Sequence, residues 1–137
     1  MEVLSSRVLI RPRDFAASAR FYRETVGLAV YREFGSRGLV FFAGGGFLEL
    51  SGERGPAPGG ATQTPFALWL QVRDVRAEHA RLAALGVPVD EPPVRKPWGL
   101  VEARLRDPDG LLLVLVEIPD DHPLRRDTRR GVSAEGG

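Results

Sequence analysis

The chain has no cysteine, a single lysine, only two histidines and no apolar run long enough to cross a bilayer. Without cysteine there are no disulfides and no thiolate metal sites, which is compatible with a reducing cytoplasm. The lone Lys96 among many arginines hints at a GC-rich, bacterial genome and says nothing about chemistry. Formal net charge is +1 with acids and bases interspersed, so nothing argues for nucleic acid or a membrane surface as partner. The opening MEVLSSRVLIRP has neither the basic start nor the apolar middle of a signal peptide. The expectation is a soluble, cytoplasmic protein.

What is present is a repeat. DFAASARFYRETVGL, from Asp14, returns sixty residues later as DVRAEHARLAALGV, from Asp74. Each copy follows a strand-like run ending in Arg-Asp (RVLIRPRD, ALWLQVRD), and each stops at a glycine, Gly27 or Gly86. Two like modules sharing one core are the natural reading of such a period. A chain of 137 residues, 43% hydrophobic, has room for that core but not for two independent domains.

In order, residues 6–12 alternate as a half-buried strand, with Val8 and Ile10 on one face and Arg7, Leu9 and Arg11 on the other. Asp14 caps a helix whose Phe15, Ala19, Tyr22 and Val26 form one apolar face. Three strands follow, over 28–34, 39–42 and 47–51, with a glycine-rich reversal at 43–46 that sets Phe42 opposite Phe47. Module one is thus 6–51, followed by a Gly/Pro/Ala-rich linker at 52–64. Module two, 65–118, repeats the order. Its first strand carries Ala67, Trp69 and Gln71 on one face. Its helix buries Val75, Leu82 and Leu85. A short strand at 88–90 leads into an irregular Pro-rich connection at 91–98, and then a hairpin turns at 107–110. A four-residue turn there sets Ala103 opposite Val114 and Leu105 opposite Leu112. The charged tail, 119–137, is expected to fray.

In each module one sheet face is plainly for a helix. The other face carries Arg7, Glu49, Trp69 and Gln71, which suits the wall of a cleft better than a dry core. No nucleophile–base arrangement is visible, since Ser6 and Ser51 have no histidine near them in the pattern. The reversal at 44–46 opens no helix, so it is not a phosphate loop. His79 lies on the second helix and His122 in the tail, off the cleft-facing strands.

Taken together, RPRDFAASARFYRETVGL, VRDVRAEHARLAALGVPV, PWG and RDPDGLLLVLVE resemble, in order and spacing, the vicinal oxygen chelate superfamily of glyoxalases, bleomycin-resistance proteins and ring-cleaving dioxygenases. The resemblance covers nearly the whole chain. It implies an α+β fold of two βαβββ modules forming a cup-shaped, curled mixed sheet with helices on the outside, usually in a homodimer. It also implies four metal-ligand positions, on the first and last strand of each module. Here they hold Arg7, Glu49, Ala67 and Val114. Only Glu49 keeps a ligand's chemistry. Arg7 does not deprotonate, and Ala67 and Val114 carry no donor. The expectation is no metal and no other cofactor.

Arg7 and Glu49 are expected to ion-pair across the cup floor, either stapling two strands or serving a ligand as donor and acceptor. Trp69 either stacks on a planar ligand or fills space left by the missing ligands. Trp98 is either a lid or a plug. Phe42 and Phe47 line the first module's side or simply pack the sheet; Ala103 and Val114 leave room at the wall, and Gln71 lies near the rim. The function so implied is metal-independent binding of an aromatic or glycopeptide-type antibiotic or natural product. The alternatives are a lyase, isomerase or oxygenase with a non-standard or partner-completed metal site, and a structural or regulatory subunit.

Overall fold

Asp14 and Asp74 start the two helices in the same way. In the computed structural model, which describes Glu2 and residues 4–55 and 66–123, Asp14 Oδ1 accepts from the Ala17 N–H at 3.1 Å and Asp74 Oδ1 from the Ala77 N–H at 3.0 Å. A second carboxylate, from the end of each module's last strand or just past it, takes another free N–H. Glu53 accepts from Phe15 at 2.8 Å and Glu117 from Val75 at 3.0 Å. Helix starts leave unpaired donors, and here two acids per helix meet them.

The first module runs β1 (Arg7–Ile10), α1 (Phe15–Arg20), β2 (Val30–Glu33), β3 (Gly38–Ala43) and β4 (Gly46–Ser51). The second runs β5 (Ala67–Gln71), α2 (Val75–Ala84), β6 (Val89–Arg95), β7 (Val101–Arg106) and β8 (Leu112–Glu117). The sheets have orders β1-β4-β3-β2 and β5-β8-β7-β6. In each, the first and last strands of the module pair in parallel and the other pairs are antiparallel. The fold is α+β: two βαβββ modules, each an open mixed sheet with its helix on the back.

The backs share one core. A single cluster joins Tyr22, Phe41 and Leu48 of the first module to Val75, Leu105 and Leu113 of the second. Polar contacts close the same seam. Arg81 on α2 donates to the carbonyls of Thr25 and Val26 at 2.6 and 3.1 Å, the free acceptors expected at the end of the first helix.

The first helix is not α throughout: Phe21–Val26 form a π-helical turn, closed by Gly27 at φ 89°. The wider turn lets adjacent residues Phe21 and Tyr22 both reach the core. Leu85 is not buried; it is 59% exposed at the end of α2. The connection at 91–98 is not irregular throughout, because β6 extends to Arg95 through Pro92 and Pro93. An edge strand with register shifts on both sides of Glu91 tolerates residues that cannot donate to a ladder. Most of the linker (56–64), Pro65 at the start of module two and the tail from 124 lie outside the described residues.

Candidate functional site

Strand register fixes which side chains face away from the core. In the first sheet, Arg7 is level with Phe47, Phe47 with Phe42, Leu9 with Glu49, and Glu49 with Val40. All share the front face. Arg7 Nη1 lies 2.6 Å from Glu49 Oε1, so the pairing expected from the sequence is present. The two partners are unequally buried: the Arg7 side chain is 38% exposed and that of Glu49 10%.

The guanidinium also lies over Phe47, 5.7 Å from the ring centroid. Phe47 belongs to an aromatic trio. Its ring is 5.6 Å from Phe42 and 4.8 Å from Tyr31, and Tyr31 is 5.1 Å from Phe42. These are favourable ring separations. Tyr31 was not singled out from the sequence. It reaches the front face where the β2–β3 register shifts between Val30 and Arg32, and such a shift re-aims one side chain.

In the second sheet, Ala67, Trp69 and Gln71 are level with Leu112, Val114 and Val116 on the front face. Trp69 and Gln71 border a cleft of ≈ 520 Å³, whose other side includes Gly44 and Gly45 of the turn joining Phe42's strand to Phe47's. A second cleft of ≈ 290 Å³ opens at the seam between β1 and the start of β5, touching Leu9, Arg11 and Ala67 but not the aromatic trio.

Ala103 is not part of this face. It pairs with Leu115, not Val114, and is fully buried on the helix side. Leu105 likewise pairs with Leu113 and joins the core. The turn holds five residues, 107–111, so Arg106 meets Leu112. Asp107 sets that length by accepting from the N–H groups of Asp109 and Leu111 at 2.9 and 2.8 Å, with Gly110 at φ 84°. A one-residue change of register moves every side chain of β7 to the other face. The front of β7 therefore carries Glu102, Arg104 and Arg106, none of which sequence reasoning selected.

Val114 does face front, but it is buried among Leu100, Val116 and Ile118 and supports the wall from beneath. Trp98 sits in the turn before β7. It is half exposed, and its indole N–H donates to Glu102 at 2.7 Å. His122 Nε2 lies 2.9 Å from the Trp98 carbonyl.

The two front faces do not cover each other within the chain. Leu9, Phe42, Trp69 and Trp98 are 61, 46, 51 and 55% exposed. The aromatic trio with Arg7 and Glu49 belongs to one module, and Trp69, Gln71, Trp98 and Glu102 to the other. Among the described residues no hydrogen bond, ion pair or ring contact joins the two sets.

The four positions corresponding to metal ligands present a guanidinium, a carboxylate already bonded to it, a methyl and an isopropyl. That donor set does not fit a divalent ion. A second copy of the chain would bring the same Ala67 and Val114. Among the described residues no group of three or more His, Cys, Asp or Glu is placed to hold a metal, and no helix is long and apolar enough to cross a membrane.

Comparison with known proteins places the chain. It is similar to YraH, an uncharacterized protein of Bacillus subtilis (strain 168), with 29% identity over 86% of this chain and 99% of YraH. Its fold is similar to that of TioX from Micromonospora sp. ML1 (TM-score 0.68, 20% identity, 84% of this chain and 98% of TioX). It is similar also to a lactoylglutathione lyase from Agrobacterium tumefaciens (TM-score 0.62, 22% identity, 85% of this chain and 94% of the lyase). At these identities the two structures speak for fold alone, and a fold does not choose between binding and catalysis. The sequence profile of one family matches residues 5–115, and the chain belongs to that family: the glyoxalase/bleomycin resistance protein/dioxygenase superfamily.

Proposed function

We propose that the chain is a metal-independent binding protein that sequesters an aromatic or glycopeptide-type natural product in the cytoplasm, in the manner of a bleomycin-resistance protein. The observation that carries this reading is the pairing of Arg7 with Glu49 at 2.6 Å, at positions where metal enzymes of the superfamily hold their cation. An ion there would face a guanidinium and lose the carboxylate to it, so Lewis-acid chemistry has no seat. What the pair leaves is a charged floor beside three exposed or half-exposed rings. Sequestration needs only affinity, which a flat ligand obtains from stacking and a few hydrogen bonds. The exposed front faces suit a homodimer in which module one of each copy meets module two of the other, completing two equivalent clefts.

Titration of tryptophan emission with a panel of aromatic and glycopeptide antibiotics tests the proposal. Both tryptophans lie on the second module's front side, half exposed, so a ligand in the cleft reports directly. The expected result is saturable quenching by at least one compound, unchanged by chelator, with the compound recovered intact and a susceptible host protected by expression of the gene. A stoichiometric divalent ion seated at Glu49, with turnover that disappears on chelation, would overturn it.

A further inference from the structure

Three carboxylates are buried among the described residues: Glu49, Asp107 and Glu102. Two have a cation or several donors. Glu49 has Arg7. Asp107 accepts from the Tyr22 hydroxyl and two backbone N–H groups. Glu102 differs. It is only 5% exposed, and its one partner is the neutral indole N–H of Trp98, on Oε2. No cation of the described residues reaches it.

The cations on that side of the sheet lie against other acids. Arg104, two residues along the same strand face, lies 3.7 Å from Glu91, and Lys96 also pairs with Glu91. Arg106 pairs with Asp90 at 2.6 Å. A buried carboxylate with a single neutral donor is poorly compensated. Its free oxygen and the half-exposed indole beside it form an acid next to an aromatic face, the combination that attracts an organic cation. Level with Glu102 on either side are Val94 and Val116, and Val116 packs with Leu100, Val114 and Ile118.

We propose that Glu102 and Trp98 form the subsite for a positively charged nitrogen carried by the ligand, an ammonium or amidinium joined to its flat portion. The carboxylate takes the charge, and the indole face covers it while its N–H keeps the second oxygen in place. This rests on the reading of the front faces as a binding cleft and adds the charge of what enters it.

The experiment compares two probes of one shape on the full chain, naphthylmethylammonium and naphthylmethanol, followed through the two indole N–H resonances of nitrogen-labelled protein. The cation should bind roughly tenfold tighter than the alcohol and shift the Trp98 resonance. Glu102→Gln, which keeps an acceptor for the indole but removes the charge, should bring the two affinities within about twofold of each other. Trp98→Phe keeps the carboxylate and an aromatic face and should retain the preference; it serves as the test if Glu102→Gln does not fold. Equal binding of the two probes by the parent would overturn the subsite and leave the aromatic cleft standing. A preference that survives Glu102→Gln, or vanishes in Trp98→Phe, would also overturn it. Binding of neither probe would overturn the subsite and, joined to an absence of quenching by the antibiotic panel, the cleft as well.

Discussion

The Tyr22 hydroxyl on the first helix donates to Asp107 Oδ2 in the β7–β8 turn at 2.8 Å, a buried hydrogen bond that ties module one to module two. Burial and the neighbouring carboxylate of Asp107 push the phenol well above its ordinary pKa, so it remains a donor throughout the accessible pH range. Tyr22→Phe keeps the ring in the core and removes only the donor. It should cost about 1–3 kcal/mol, the range for leaving a buried polar group short of a partner. Urea unfolding followed by circular dichroism measures it, and an unchanged midpoint would show that the bond adds nothing to the docking of the modules.

The same carboxyl makes stability depend on pH. Burial raises the Asp107 pKa, opposed by the bonds from Tyr22, Leu111 and Asp109. A carboxyl whose folded pKa exceeds its unfolded value holds its proton more tightly when folded. Its contribution is therefore fully present below the unfolded pKa, about 3.9, and is lost as pH rises through the folded value. Asp107→Asn removes the ionisation while leaving an oxygen for the two backbone donors. The stability of this variant relative to the parent should increase as pH is raised from about 4. A difference that stays flat with pH would mean that the carboxyl titrates as it does in the unfolded chain.

Arg7 and Glu49 should respond unequally to mutation because they are unequally buried. Glu49→Gln leaves a guanidinium that still reaches water, at a cost of about 1 kcal/mol or less. Arg7→Met leaves Glu49 buried with its charge uncompensated, and should cost about 2–4 kcal/mol. Thermal melts of the two variants at neutral pH compare them. The reverse order would place the burial of the pair on the wrong partner.

The halves of the fold were legible because local chemistry announced them. Asp14 and Asp74 precede apolar helical patterns, and their side chains do cap the helices. Alternation in RVLI and FLELS put Arg7 and Glu49 on one face, and parallel pairing brings them together. What escaped depends on one-residue details or on tertiary neighbours. The β7–β8 register turns on two hydrogen bonds to the Asp107 side chain, and missing it hid Glu102 while promoting Ala103. Tyr31 reaches the front face through an irregularity that no periodicity shows. Pro92 and Pro93 read as strand breakers, but on the edge strand β6 they are tolerated. That the backs share a core while the fronts stay open follows from how the modules dock, which neither module's pattern contains.

If Ala103 faced a cleft, a larger side chain there would change ligand binding and spare stability. In its fully buried place between sheet and helix, Ala103→Leu should overpack the core and cost about 1–3 kcal/mol. Phe47→Ala, on the front face, should instead weaken binding of a flat ligand by about 1–3 kcal/mol, as loss of a stacking platform does. Urea unfolding and ligand titration of both variants separate the two effects.

Leu9, Phe42, Trp69 and Trp98 are each about half exposed, and they lie on faces that the chain does not cover with itself. Apolar side chains grouped this way on a monomer mark an interaction surface. With two such faces per chain, one on each module, the proposed twofold dimer would let each cover the other's counterpart and close the assembly at two copies. Sedimentation equilibrium should therefore return twice the 15.0 kDa chain mass. Phe42→Glu sets a charge where Tyr31 and Phe47 contact the ring. On the proposed dimer it should shift the protein to monomer and abolish ligand-induced quenching. A parent that sediments as a monomer yet still quenches saturably would mean that one chain's clefts suffice.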